Sequence, residues 1–328
     1  MLSGIPGAVA LCVAAALLPS AAMVAPASAE PSAIASDPNR NRYCDHVDPM
    51  PPSPPGPEFH VGNGVTAQVN LDIETVAVRS AAGPTWDSTI TGIDRYSLGP
   101  GWTLGEAFVD VTDWGAKIYV PGHGLMESDA TRVSGLACYD GRDVIFRWDS
   151  GVVPGRGALP DRAYTSTLAH FDPTDLETPV RTDYFGAHGE VIASIDADGT
   201  RTDRLYDVIA PARLTRIVHD DGRETTFSYP VERGDRRLSI TSSDGKVDTL
   251  HSPQAEWPVP TRLVGPLGKT AITWNMSLLI HGLTSTTTEG QVEHVTEFEW
   301  STDVGRLDAL RLDGERVFPL EAGQPAAR

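Results

Sequence analysis

The sequence predicts an all-β protein: an N-terminal β domain, then a curled antiparallel sheet of repeated β-hairpins. Three observations carry this. Six turn-forming dipeptides recur at a near-constant interval: Asp198-Gly199, Asp221-Gly222, Asp244-Gly245, Leu267-Gly268, Glu289-Gly290 and Asp313-Gly314, with glycine spacings of 23, 23, 23, 22 and 24 residues. Between Val65 and Glu74, Val65, Ala67, Val69, Leu71 and Ile73 alternate strictly with polar residues, the period of a half-buried strand. The 328 residues include 31 Gly and 26 Pro, well above the usual ~12%, and no collagen-like period or run of helical spacing accompanies them.

Taken in chain order, residues 1–29 carry no charged side chain, and an apolar run from Ala8 to Leu18 precedes Ala27-Ser28-Ala29, an A-x-A site. This is the pattern of a secretory signal peptide, so the expected location is extracellular or envelope-associated, with no membrane span left after cleavage. Residues 30–57 form a Pro-rich linker ending in Pro51-Pro52-Ser53-Pro54-Pro55-Gly56-Pro57, which favours extended backbone and excludes helix. Cys44 and Cys138 follow the leader, and an oxidising compartment makes them a candidate disulfide.

Residues 58–182 are expected to form the N-terminal β domain. Short apolar segments at Ala107–Val111, Ala116–Val120, Val144–Trp148 and Thr165–Phe171 are separated by turn dipeptides such as Pro121-Gly122 and Asp140-Gly141. Residues 183–320 hold the repeats, and 321–328 are a tail. Each repeat reads as apolar strand, tight turn, second strand and a bend back. A leucine precedes most turns at similar distance (Leu214, Leu238, Leu263, Leu283, Leu307), and an aromatic follows several of them (Tyr206, Tyr229, Trp274). Four of the turn dipeptides are Asp-Gly, the pair suited to a type I′ turn with both central residues at positive φ. Gly199, Gly222, Gly245, Gly268, Gly290 and Gly314 are therefore the predicted structural turns. Such units stack to bury a face that no single one can bury.

The unit resembles the rearrangement-hotspot (RHS), or tyrosine-aspartate (YD), repeat. The closest copies run from Tyr184-Phe185-Gly186 through Asp198-Gly199 to Tyr206-Asp207, and on through Ala212-Arg213-Leu214 to Asp221-Gly222-Arg223 and Tyr229. Gly305-Arg306-Leu307-Asp308 is a late echo, and Tyr96-Ser97-Leu98-Gly99-Pro100-Gly101-Trp102 looks like the segment that precedes such repeats. The resemblance implies a twisted sheet able to curl into a shell, as in bacterial toxin cocoons and teneurin ectodomains. The toxin-bearing members carry more repeats and a self-cleaving Asp-Pro-x-Gly junction; neither is found here, so a closed cocoon with a C-terminal toxin is not expected.

Composition and motifs narrow the chemistry. With 44 acidic against 26 basic residues the net charge is −18, which excludes a nucleic-acid partner. Gly101-Trp102-Thr103-Leu104-Gly105 has the outline of a nucleophile elbow with Thr for Ser, but no helix follows it. Gly265-Pro266-Leu267-Gly268-Lys269-Thr270 ends like a phosphate-binding loop, yet its leading position is Leu263. The histidines lack ligand spacing, and the Asp residues beside Gly are accounted for by turns. Trp148, Tyr206, Tyr229, Trp274 and Trp300 either cap the buried face or form a sugar-stacking row. The expectation is a secreted, non-catalytic structural or interaction protein with no cofactor or metal, its partner a surface glycan or another protein. The alternatives are an accessory part of an RHS-type toxin system and a secreted carbohydrate-active enzyme built on an acidic pair that the sequence does not single out.

Overall fold

The computed structural model describes residues 56–70, 75–93, 98–112, 115–122, 124–128, 136–138, 144–172, 175–210, 213–232, 235–253, 259–301 and 306–319. The leader, nearly all of the linker, the tail, Cys44 and the side chain of Cys138 lie outside them, and with them the expected disulfide. The described residues are strands and turns, with one short 3₁₀ turn at Ser88–Ile90 capped by Asp87, whose carboxylate accepts the Thr89 N–H.

A five-stranded meander comes first: β1 (Glu58–His60), β2 (Val65–Asn70), β3 (Thr75–Ser80), β4 (Thr85–Asp87) and β5 (Trp102–Thr103). The alternation in β2 buries Val65, Ala67 and Val69 and leaves the residues between them half-exposed, as its period of two requires. A three-stranded sheet follows, β6 (Phe108–Thr112), β7 (Gly115–Val120) and β8 (Gly124–Ser128).

The long sheet starts with β9 (Leu136–Cys138) and β10 (Val144–Arg147). The separate hairpin of β11 (Gly151–Val153) and β12 (Arg162–Tyr164) intervenes. The sheet resumes with β13 (Ser166–Asp172), β14 (Asp175–Phe185), β15 (Val191–Asp196), β16 (Arg201–Tyr206), β17 (Leu214–Val218) and β18 (Glu224–Ser228). It continues through the short β19 (Val231–Glu232), β20 (Asp235–Thr241), β21 (Val247–Ser252), β22 (Arg262–Gly265) and β23 (Gly268–Trp274). β24 (Ile280–Thr287), β25 (Val292–Trp300), β26 (Leu307–Leu312) and β27 (Glu315–Phe318) complete it. Pairing is antiparallel throughout, β18 passing directly to β20. Among the described residues β9 pairs with β10 and β27 with β26, and no pairing joins the two ends, so the sheet is open rather than a closed barrel.

Cross-strand partners share a face. Following the register from Phe146 through Leu168, Asp183 and Ser194 to Thr202, and from Arg204 through Ile217, identifies one inner face along the sheet. The three-stranded sheet packs on its first part, Ala107, Val109, Ile118 and Val120 against Val144, Phe146, Leu168 and Phe185. The five-stranded sheet packs on the rest. Its Val65, Val69, Val78, Trp86 and Trp102 share a core with Leu214, Leu238, Leu263, Leu283 and Leu307, the repeated leucines of the sequence. The expected division stands at 182/183. It falls inside β14; the long sheet covers the apolar faces of both small sheets, which also share a small cluster of their own at Ile90, Phe108 and Tyr119.

All six turn glycines have positive φ, between 80° and 151°. The turn type differs from expectation. Of the four Asp-Gly pairs, Asp313-Gly314 alone has both residues at positive φ, as type I′ demands. At Asp196–Thr200, His219–Arg223 and Ser242–Lys246 the hydrogen bonds close three-residue loops, with only the glycine left-handed. The aspartate serves a different purpose. The carboxylates of Asp198, Asp221 and Asp244 accept the backbone N–H of Thr200, Arg223 and Lys246 at 2.8, 3.0 and 3.2 Å. Asp is selected there as a local acceptor, not as a residue tolerant of positive φ.

Two of the glycines separate conformational from steric demand. A Cβ on Gly222 (φ 82°) meets nothing within 4 Å. A Cβ on Gly268 falls 2.1 Å from the Thr286 carbonyl oxygen and 2.6 Å from Asn63 Oδ1. Gly222→Ala is expected to cost about 1 kcal/mol, the price of left-handed backbone alone. Gly268→Ala is expected to cost that plus about 1–3 kcal/mol of overpacking. Urea denaturation of both variants checks the ranking; equal losses would refute the steric reading.

Candidate functional site

Two arrangements on the long sheet bring functional groups together. The first is aromatic and lies at the junction with the five-stranded sheet. Strand periodicity turns Tyr206, Tyr229, Trp274 and Trp300 inward at strand ends, and each finds a backbone acceptor one strand back. Tyr206 and Tyr229 donate their hydroxyls to the carbonyls of Val191 and Leu214, each at 3.0 Å. Donor and acceptor are each displaced by one repeat between these two bonds. Trp274 and Trp300 donate Nε1–H to Pro260 and Ile280 at 2.6 and 2.7 Å. Asp207, after Tyr206, accepts the Ile209 N–H at 2.7 Å and shapes the loop that follows. Trp86 of β4 lies edge-on to both Trp274 and Trp300, ring centroids 6.0 Å from each, and Trp102 is 6.5 Å from Trp274. These four aromatics thus stitch repeats together and grip the five-stranded sheet, and do not form an exposed sugar-stacking row. Trp148 likewise packs edge-on to Phe146.

The second arrangement is charged and sits across β13 to β16. On the inner face the buried Asp183 accepts hydrogen bonds from Arg181 Nε at 2.8 Å and from the Ser194 hydroxyl, and it faces His170 Nε2 at 2.9 Å. Ser194 Oγ in turn receives Arg204 Nη1 at 2.8 Å, and the buried Arg204 pairs with Glu106 Oε2 at 2.7 Å. Burial alone would raise the Asp183 pKa. The His170 hydrogen bond and the charges of Arg181, His170 and Arg204 outweigh it and hold the carboxyl well below its usual range. Burial works against Arg204 too, and Glu106 and Asp183 reverse it, raising its pKa.

The outer face has its own cluster. Asp203 is fully buried; its Oδ1 accepts from Arg201 Nη2 at 2.6 Å and from Arg162. Arg156 Nη2 lies 3.3 Å from the other oxygen, without hydrogen-bond alignment, and also pairs with Asp220. Arg156 and Arg162 belong to the β11–β12 hairpin segment, whose Tyr164 packs edge-on to Tyr184 at 5.0 Å. The cluster therefore clamps this hairpin onto the outer face.

Neither cluster has the geometry of a nucleophilic site. Ser194, Asp183 and His170 are the right residue types, but the carboxylate stands between hydroxyl and imidazole, whereas an activated serine needs the imidazole between. Gly265–Thr270 is the β22–β23 turn, and Gly101–Thr103 packs on Trp86. Among the described residues no group of three or more His, Cys, Asp or Glu converges as a metal site. An apolar void of about 10 Å³ lined by Val65, Val78, Trp102, Leu263 and Ile272 lies between the two sheets. It is too small for a ligand beyond a single water.

The arginine–aspartate clusters are not among the sequence expectations. Their one sequence signal is the run Arg201-Thr202-Asp203-Arg204, where charge interrupts both faces of a strand expected to be half apolar. No helix among the described residues is long and apolar enough to cross a membrane.

No family model and no curated protein matches the chain. Among solved structures it is similar to the Tc holotoxin pore of Photorhabdus luminescens carrying a mutated TccC3, at 9% identity and a TM-score of 0.18, over 80% of this chain and 18% of that one. The crystal structure of TcdB2–TccC3 is similar at 9% identity and a TM-score of 0.17, over 78% of this chain and 16% of that one. The chain thus spans less than a fifth of the length of either.

Proposed function

We propose that the chain is a non-catalytic β-repeat scaffold of the tyrosine-aspartate kind, secreted or held at the cell envelope, whose role is to present surface to a glycan or protein partner. One observation carries this reading. The inner face of the hairpin sheet, where a shell protein would hold cargo and an enzyme its cleft, is occupied by the chain's own five-stranded sheet, with Trp86 set between Trp274 and Trp300. Two features support the repeat assignment: the recurring Tyr206 and Tyr229 back-bonds and the loop-shaping Asp207. Secretion rests on the apolar leader and its A-x-A site.

The exported chain is expected to begin at Glu30, to release no reducing ends from a panel of polysaccharides, and to be retained on a glycan array or by a surface protein. N-terminal sequencing, a reducing-sugar assay and the array check these three points. Release of reducing ends that disappears on a single Asp or Glu substitution would replace the scaffold with a carbohydrate-active enzyme. Retention of the leader would remove the secreted location.

A further inference from the structure

The outer face of the long sheet changes character beyond the hairpin clamp. In β20 to β23 the residues that alternate with the core residues Leu238, Leu250, Leu263 and Ile272 form this face, and all of them except His251 are half-buried or exposed. Cross-strand pairing sets Arg237, His251 and Arg262 in one row over three adjacent strands. The next row along the strands holds Ser239 and Thr249 and runs through Val264 to Lys269.

The first row carries charge that the protein does not neutralise. Asp235 is the carboxylate of this face, and it accepts Arg237 Nε at 2.9 Å. Arg262 Nη2 donates instead to His251 Nδ1, at 3.3 Å. Among the described residues neither Arg262 nor Lys269 pairs with a carboxylate. A guanidinium only donates, so His251 is a neutral acceptor there and carries its proton on Nε2, a further donor. Burial pushes the His251 pKa below its usual value, and Arg262 and Arg237 add to that shift against the opposing pull of Asp235. The imidazole therefore reports a positive local field in a chain whose net charge is −18.

We infer that this face binds the carboxylate of an acidic sugar residue, with Arg262 holding the carboxylate and Ser239 and Thr249 meeting the sugar hydroxyls. The inference rests on the glycan form of the function proposed above and names its chemistry. The planar guanidinium matches a carboxylate in shape and charge. Adjacent strands stand about 4.8 Å apart and successive outward residues about 7 Å along a strand, so the two rows lie within reach of one sugar residue. The overall charge repels a densely charged polyanion, which favours a glycan with isolated acidic residues. A peptide would use a sheet edge or side-chain pockets, whereas this face lies in mid-sheet with both neighbours of β21 and β22 paired.

The test is saturation-transfer NMR of the exported chain with an oligosaccharide ending in glucuronic acid, set against its methyl ester. The acid is expected to bind and the ester to bind at least tenfold more weakly. Arg262→Gln, which keeps a donor for His251, is expected to raise the Kd of the acid about tenfold, and the exposed Lys269→Gln about threefold. Circular dichroism should be unchanged in both; if Arg262→Gln proves unfolded, Lys269→Gln carries the comparison. Equal binding of acid and ester, or a Kd unmoved in the folded variants, would overturn the inference. Inorganic sulfate bound as tightly as the sugar would overturn it too, leaving an ion site only, and tighter binding of a glutamate-rich peptide would give the face to a protein partner. Glycan-array retention that survives these substitutions would keep the scaffold reading while ending this inference.

Discussion

Trp86→Ala is expected to destabilise the protein by about 3–5 kcal/mol, the range for removing a buried aromatic from a packed core. Trp86 is fully buried, and its ring lies edge-on to Trp274 and Trp300 at 6.0 Å each. Truncation removes two aromatic contacts and leaves a void between sheets that are themselves held by neighbouring pairings. The backbone cannot collapse into that void without breaking the register of β3 with β4 or β4 with β5. Trp86→Phe separates volume from polarity. Among the described residues the indole N–H has no hydrogen-bond partner, so Phe keeps most of the apolar contact while removing an unsatisfied buried donor. Its cost is expected to be well below that of Ala. Urea denaturation with an unchanged m-value tests both variants. If Trp86→Ala shifts the midpoint no more than truncation of the exposed Val152, the five-stranded sheet does not hold the inner face closed.

The contrast between Trp86 and the turn glycines shows what the sequence made legible. The hairpin register was readable because its requirement is local: a left-handed residue recurs every 22 to 24 positions, and glycine meets it. The buried leucines are readable for the same reason, since each precedes its turn glycine by a similar interval of 5 to 8 residues. The turn at Asn275–Leu279 lies outside the glycine pattern because Leu278, not glycine, occupies the left-handed position at φ 61°. Alternation in β2 announced one apolar face but not what covers it. The covering leucines stand well over a hundred residues away, and no local pattern encodes that pairing. The inner charged cluster is hidden in the sequence for the same reason. Asp183, Ser194 and Arg204 lie on three strands, and only the cross-strand register brings them to one face.

That register gives the inner charged cluster its expected behaviour under substitution and acid. Arg204→Met is expected to cost about 3–5 kcal/mol, because it leaves Glu106 and Asp183 without a buried cation that both use. Glu106 lies just ahead of β6, so the loss falls on the contact between the three-stranded sheet and the hairpin sheet. Adding Glu106→Gln to Arg204→Met should recover part of the loss, since the partner left uncompensated is then neutral. A coupling energy of about 0.5–3 kcal/mol in the double-mutant cycle is the expected signature.

The pH dependence has a definite sign. Asp183 is held below its unfolded pKa of about 3.9. Its contribution to stability is therefore fully present above that pH and is lost as pH falls toward the folded value. The Arg204 charge is one of the interactions holding Asp183 down, so in Arg204→Met the carboxyl should take up its proton at higher pH, and acid unfolding should begin earlier. Acid titrations of both proteins, followed by tryptophan fluorescence, decide it. Superimposable acid limbs would mean that Arg181 and His170 alone keep Asp183 ionised, and that Arg204 serves Glu106 only.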